Sequence, residues 1–597
     1  MIVKYIFLVC LTLVVFVAGT SFSEAQYIWF NDIKEHKKLK QDDSLELSKT
    51  IYESVQNRHE LNPDKIDLKK HDYPNIIFIS ASDSIKPAYI GLGSGISLLI
   101  AVNSALASLY KALPRNFDLK WLKIDIVKEA QSIDDFNFRK PVKIDQTLSG
   151  IAFNQASGIA LIAQEIDSSK IINNGFIDKY VLANYLHKKE HRYNNYDAID
   201  YWDNNKLFMF ISESYFYDGN TGYRLSGGHR ANLEIDTELL HKSARLAGRY
   251  FLNSIQPDGS FMFRNQPEAD SSVNNYSILT HAASIYALLG LFENSGNDSI
   301  LKQARLTIDY IKRFTKECTL GDTSSLCVID EPEYLVKLVA NGLASTAVAK
   351  YIKLSGDNSL LEYLNGVNSY ILSSIKEDGG FYPHTVEFFT GNVRNVYSEY
   401  YPWEAILGLL MSCEITNDKK LLDAAIKASD YLINIKHKDK TLDDISHDHW
   451  LVYALSKLYV HKPDKLYLDH IFRISDSIVK AQQNSSNTKD LTLSFDNLPA
   501  STPAATISEA LFTALNIARN TGEKKRADKY LYTLKKSVTF QLYNQYMPES
   551  AMYMSDPEQS LGSFKAGHHD LEIKNNYSHH NLSGILGLLK ILEVNKF

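Results

Sequence analysis

The sequence is poor in cysteine, in charge of one sign and in long apolar runs, and each shortage excludes something. Four cysteines in 597 residues form no C-x-x-C pair, so a structural zinc site is not expected, and no other metal or cofactor is called for. Cys10 lies in the N-terminal segment. Cys318 and Cys327 bracket the short polar stretch TLGDTSSL and could close it in an oxidising compartment, whereas Cys413 sits in an apolar helical run that suits a buried free thiol. A formal net charge of −6 spread over this length gives no basic face, so nucleic acid is not an expected partner. Beyond the N-terminus no stretch approaches the ~20 apolar residues that span a bilayer. With 45% hydrophobic and 22% charged residues, the chain is not expected to be disordered.

What is abundant is tyrosine, 36 in all, each a flat apolar face with a polar tip. Such side chains suit sugar binding and ordinary core packing alike, and packing accounts for most of them.

At the N-terminus Lys4 precedes an apolar run from Tyr5 to Ala18, and small residues follow with Ser23-x-Ala25 as a cleavage site. Residues 1–25 therefore read as a signal peptide, or as a membrane tether if uncleaved, and the protein as exported: periplasmic, secreted or anchored. Residues 26–70 read as a helical lead-in around Ser44–Val55. Residues 71–190 alternate short strands and helices: strands at Asn75–Ser80, Pro87–Ile90, Trp121–Val127, Val142–Ile144, Gly150–Phe153 and Gly158–Ile162, helices at Ile96–Leu113 and Asp178–Lys188. This is a small α/β domain. Its Gly91-Leu-Gly-Ser-Gly95 run lacks the Lys-Ser/Thr ending and the dinucleotide spacing, and reads as a tight strand-to-helix turn. Residues 191–230 read as a connecting segment.

From residue 231 to 597 the strand patterns give way to twelve helical ones, from Asp236–Asn253 to Ser578–Val594, which make six hairpins. A repeat runs through them. Tyr250-Phe-Leu-Asn-Ser-Ile255 leads to Asp258-Gly-Ser-Phe261, Tyr370-Ile-Leu-Ser-Ser-Ile375 leads to Asp378-Gly-Gly-Phe381, and Leu561-Gly-Ser-Phe564 is a degenerate third copy. After each turn a polar approach feeds an apolar helix, as in NNYSILTHAASIYALLGLF (Asn274–Phe292), NVYSEYYPWEAILGLLM (Asn395–Met411), and GHHDLEIKNNYSHHNLSGILGLLK (Gly567–Lys590); DDISHDHWLVYALSKLY (Asp443–Tyr459) is a cruder version. Helices that are apolar nearly all round and rich in small residues read as the inner helices of a ring, and charged one-sided helices such as Leu301–Lys312 as its outer layer. Inner helices running in one direction bring their N-termini, and the residues just before them, to one polar mouth that favours anions.

The D-G-[SG]-F turns and small-residue inner helices resemble the six-hairpin, or (α/α)6-toroid, superfamily of carbohydrate-active enzymes. It includes unsaturated glucuronyl hydrolases, glycoside hydrolases, alginate- and heparin-type lyases and glucuronyl C5-epimerases. The resemblance covers 231–597, and Asn575–Leu586 is similar to the Tyr-and-His stretch of the epimerases. The D-x-D-D motif of terpene cyclases and the zinc ligands of prenyltransferases and lanthionine cyclases are missing. The fold class expected is thus multidomain α+β, a small N-terminal α/β domain followed by a large all-α (α/α)6 toroid.

At the supposed mouth, His281 and His580 take matched places three residues before Ser284 and Ser583 and could shuttle protons. Glu404, beside Tyr400, Tyr401 and Trp403, is a candidate general acid whose pKa aromatic neighbours would raise. Tyr397 and Tyr577 complete the candidate catalytic set. Candidate substrate contacts are Tyr276, Tyr401, Trp403, His449, His568, His569 and Asp570, with Arg264 and Arg394 placed to pair with a uronate carboxylate. Asp444, His447, Asp448 and His449 cluster ahead of one inner helix, by chance clustering or as a metal site. Asp258 and Asp378 belong to tight turns and read as structural. The expected partner is a polysaccharide or oligosaccharide, uronate-containing ones included, and the expected reaction glycoside hydrolysis, β-elimination or C5 epimerisation. A glycan- or peptide-binding protein without catalysis is the alternative.

Overall fold

The computed structural model describes residues 28–33, 41–61, 73–134, 136–142, 149–153, 158–173, 175–190, 206–231, 233–262, 264–265, 276–320, 323–331, 333–484, 500–567 and 571–594. The leader and part of the lead-in lie outside them. The chain divides into two compact units, Met1–Asn232 with Pro548–Glu558, and Leu233–Met547 with Gln559–Phe597.

In the first unit helix α1 (Gln41–Asn57) is followed by β1 (Asn75–Ser82), β2 (Tyr89–Gly95), α2 (Leu98–Ala112) and β3 (Trp121–Ile133). Then come β4 (Gly150–Ala152), β5 (Ala160–Ile162), α3 (Ala163–Ser168), α4 (Lys179–Glu190), β6 (Leu207–Tyr217), β7 (Gly222–Ser226) and β8 (His229–Arg230). The strands form one antiparallel sheet in the order β8-β7-β6-β3-β1-β2, with β4 joining β6 to β5. Every residue of β1 is buried, as its continuous β-branched run demands of a central strand covered on both faces. One face packs Ile77, Ile79, Ile124 and Ile126 against Leu47 and Ile51 of α1 and Leu106 and Leu109 of α2.

Two sequence expectations are corrected here. Residues 206–230 are not a connector: β6 pairs along β3 from Leu122↔Tyr217 to Ile133↔Leu207 and is a central member of the sheet. The Gly91–Gly95 run is not a turn but the edge strand β2, paired with β1 from Asn75↔Gly95 to Ala81↔Tyr89. Its glycines let α2 lie directly on the strand, since a Cβ at Gly93 would come within 2.1 Å of Ala105 N. The segment Pro548–Glu558, read from sequence as part of the helical region, belongs to this unit. Arg230 grips Glu549 with both Nε (2.8 Å) and an NH2 nitrogen (3.1 Å), and Ala88 N–H donates to Met552 O.

The second unit opens with α5 (Thr237–Ser254), α6 (Ile278–Ser295), α7 (Asp298–Arg313), α8 (Leu338–Ser355), α9 (Leu361–Ser373) and α10 (Tyr401–Thr416). It continues with α11 (Lys419–Tyr431), α12 (His449–His461), α13 (Lys465–Asn484), α14 (Ser501–Asn520), α15 (Lys524–Tyr543) and α16 (Asn575–Val594). Even-numbered helices neighbour one another in the cycle α6-α8-α10-α12-α14-α16 and back to α6, and each is backed by odd-numbered ones. The division follows composition. On α8 every residue from Leu338 to Ile352 is buried, whereas on α7 only the stripe Ile300, Ala304, Thr307, Ile308 and Ile311 is. The inner helices run in one direction. Gly342 of α8 meets Ala405 of α10 while Lys353 further along reaches Glu414, and Ser508 and Phe512 of α14 face Gly584 and Gly587 of α16 in step.

The repeated turns act as clips. Gly259, Gly379 and Gly562 have φ of +90°, +94° and +88°, and a Cβ there would strike Leu306 O of α7, Lys427 O of α11 and Leu246 O of α5. Asp258 and Asp378 accept the turn N–H groups of Ser260 (2.9 Å) and Gly380 (2.8 Å), the structural role expected. Strands do not disappear from this unit. Thr315–Leu320 (β9), Thr323–Asp330 (β10), Leu335–Lys337 (β11), Thr385–Glu387 (β12) and Val393–Arg394 (β13) form a sheet in chain order. The Cys318–Cys327 disulfide crosses the β9–β10 hairpin with Cα atoms 5.9 Å apart, and Cys413 is free and buried. No described helix is long and apolar enough to cross a membrane.

Candidate functional site

The cap of α12 sets the site. Asp448 accepts N–H groups from Trp450 (2.8 Å) and Leu451 (3.3 Å), which fixes His449 as the first helical residue. Across from it α14 supplies Glu509, whose Oε2 lies 2.7 Å from His580 Nδ1 of α16 and 3.6 Å from His449 Nε2. The rings of His449 and His580 stand edge to face with centroids 5.1 Å apart. His579, one residue earlier on α16, sits with its Nδ1 3.4 Å from Ser284 Oγ of α6. Four inner helices thus deliver polar side chains to one place inside the ring. Close packing of α16 on α14 depends on Gly584 and Gly587, since a Cβ at Gly587 would fall 2.1 Å from the Phe512 ring.

Aromatic rings floor this cluster. His449 lies 4.6 Å from Trp450, and Trp450 5.8 Å from Tyr453. Tyr286 lies 6.0 Å from Trp450, and Phe512 5.9 Å from Tyr453. Deeper along the ring Lys350 Nζ stands 4.1 Å from the Tyr286 ring centroid and 2.8 Å from Glu293.

Electrostatics follow from burial. Glu509 is 2% exposed, and burial pushes its pKa up while the adjacent His580 pulls it back. Burial, with His580 beside them, drives His449 and His579 well below the usual imidazole value, so both are neutral. Each has a buried Nε2 without a hydrogen-bond partner. Alongside, on α10, Glu404 is held well above the usual carboxylate range by burial and then by Asp448, and its Oε2 has no partner. Burial lifts Asp448 itself to about 8 against the opposing Leu451 and Trp450 N–H groups.

Of the candidates from sequence, His580 and His449 come together here, and Glu404 lies within the electrostatic influence of Asp448. His281 does not join them. Its Nε2 bonds Thr307 O of the outer helix α7 at 2.8 Å, Tyr276 bonds its Nδ1, and Tyr310 stacks on its ring. The matched spacing of His281 and His580 therefore hides opposite orientations: His281 and Tyr276 fasten an inner helix to an outer one. Trp403 is fully buried near His437. Tyr397, 61% exposed, and Tyr401 flank His384, away from the cluster's described contacts. Tyr577 donates to Glu572 (3.1 Å), and Arg394 pairs with Glu387 (2.7 Å) on the β12–β13 hairpin. The backbone of Arg264 pairs with Lys574. His568, His569 and Asp570 lie outside the described residues. The Asp444–His449 cluster is split: His447 bonds Ser477 of the outer helix α13 at 2.9 Å, and Asp444 closes its own turn through Thr441.

Sequence reasoning missed Glu509, His579 and the aromatic floor. Glu509 carried a signal: it is the one acidic residue in the small-residue run Ser501–Asn520, a charge that an inner helix keeps only for a partner.

No protein-family model matches the chain, and no curated protein does. Solved structures similar to it include an α-1,6-mannanase from Salegentibacter at 13% identity, spanning 60% of this chain and 99% of the mannanase with a TM-score of 0.43. A cellobiose 2-epimerase from Spirochaeta thermophila matches at 16% identity over 60% and 97% with a TM-score of 0.45. A D-mannose isomerase matches at 13% over 60% and 98%, also at 0.45. These structures are members of the six-hairpin glycosidase-like superfamily that the sequence resembles.

Proposed function

We propose that the second unit is an (α/α)6 toroid and that the protein is an exported enzyme acting on a polysaccharide or oligosaccharide, its reacting centre the group His449, Glu509, His579 and His580. The observation that carries this is the meeting of these side chains from α12, α14 and α16 against Trp450, Tyr453, Tyr286 and Phe512. Flat rings with polar edges accommodate a sugar, and the imidazoles supply what proton removal beside a uronate carboxylate needs. A neutral histidine with a bare, buried Nε2 takes the proton, and Glu509 fixes the ring of His580 beside it. This favours β-elimination or C5 epimerisation over hydrolysis. Glycoside hydrolysis would instead draw on Glu404, a buried carboxyl suited to donating a proton.

The test is incubation of the purified protein with uronate oligosaccharides in deuterated water, reading deuterium at C5 and the unsaturated product. Wild type should exchange or eliminate, and Glu509→Gln or His579→Ala should lower the rate by about 10²–10⁴-fold with an unchanged fold. Binding of the oligosaccharide without exchange, elimination or hydrolysis would replace the enzyme by the non-catalytic glycan binder.

A further inference from the structure

Among the described residues one group of three histidines or carboxylates has ligand atoms close enough to share an ion: His449, Glu509 and His580, all within 4.8 Å of one another. We propose that this group binds a divalent transition-metal ion. The proposal deepens the function above and rests on the same centre.

Three features point to it. The ligand atoms are already near coordination spacing. Atoms ~2.1 Å from a shared metal sit roughly 3.0–3.4 Å apart, and Glu509 Oε2 lies 2.7 Å from His580 Nδ1 and 3.6 Å from His449 Nε2. The donor set of two imidazoles and one carboxylate suits zinc, iron, manganese or cobalt and leaves positions open on the side of His580, whose side chain is 13% exposed. Independently, His449 Nε2 is buried and has no hydrogen-bond partner although it faces Glu509, an arrangement that costs free energy unless something else takes its lone pair. The outer sphere is present as well, with Tyr453 OH 3.5 Å from Glu509 Oε1.

Loading changes the chemistry in a defined way. The proton on the line between His580 Nδ1 and Glu509 Oε2 in the metal-free centre is displaced when both become ligands, to the other ring nitrogen or to solvent. Two neutral imidazoles and one carboxylate leave a bound dication with a net positive charge, which attracts a uronate carboxylate. His579, outside the ligand set, keeps its bare Nε2 for the proton.

The experiment is titration of chelator-stripped full-length protein with cobalt(II), read by its visible absorption and by calorimetry in two buffers of different ionisation enthalpy. One equivalent should bind with a Kd at or below micromolar, release at most one proton, and give way to zinc. His449→Ala and Glu509→Gln, each checked by circular dichroism, should weaken binding by at least ~100-fold, while His447→Ala should not change it. Absence of binding, or binding untouched by His449→Ala and Glu509→Gln, overturns the metal site. Because binding is read without substrate, the two proposals fail separately. Turnover by fully stripped protein removes the metal and keeps the enzyme; tight metal without turnover on any saccharide does the reverse.

Discussion

Glu404 poses the sharpest question at the scale of one residue. The residue is 6% exposed, one carboxyl oxygen is buried without a partner, and the charged group that acts on it is another buried acid, Asp448. Such a group is carried protonated, because ionising it without a cation costs several kcal/mol. Glutamine reproduces the neutral shape, so Glu404→Gln should shift stability by no more than about 1 kcal/mol in chemical denaturation. Loss of more than ~3 kcal/mol would mean that the carboxylate is ionised and paired. The same variant separates packing from chemistry: turnover retained with the fold intact removes Glu404 as a general acid, and turnover lost places it among the reacting groups.

Among elements, the turns after α5, α9 and α15 determine how neighbouring outer helices meet. Gly379→Ala would have to place a methyl group 2.5 Å from Lys427 O at a φ of +94°. Clash and strain together should cost roughly 1–3 kcal/mol, measured by urea unfolding, while Gly391→Ala, open to solvent at positive φ, should cost less. An undiminished Gly379→Ala would contradict the clip. These turns are also where the sequence was most legible, because Asp-Gly followed by an aromatic is a local signal, and all twelve helices announced themselves by periodicity. The β9–β13 sheet did not, since its short strands are held by pairing partners as far apart as Leu335 and Glu387 rather than by their own pattern. His281 misled because helical spacing fixes position along a helix, whereas the direction of its ring is set by Thr307 on another helix. Glu509 was passed over for a related reason: as the lone acid of its helix it was visible, but its meaning lies in His580 and His449, two helices apart in sequence and adjacent only once the ring closes.

At the scale of the whole helical unit, burial of neutral histidines makes the fold sensitive to acid. His281 has its pKa lowered to about 4 by burial, against an ordinary 6.5, and burial likewise lowers His384 to about 4 and His470 to about 3. For each, the unfolded chain binds a proton between its folded value and 6.5 that the folded chain refuses. The stabilising contribution is therefore full above pH 6.5 and drains away as pH falls toward 4, by up to roughly 1.4 kcal/mol per unit for each histidine. Raised carboxyls such as Asp448 carry the opposite sign over part of that range, so the raw stability curve mixes the two. A difference removes the mixture. His281→Gln keeps a donor for Thr307 O but cannot titrate, and the stability gap between wild type and this variant should shift in the variant's favour between pH 6.5 and 4.5 in urea unfolding. A gap constant across that interval would mean that His281 is charged in the fold, with Asp258 as the acid acting on it.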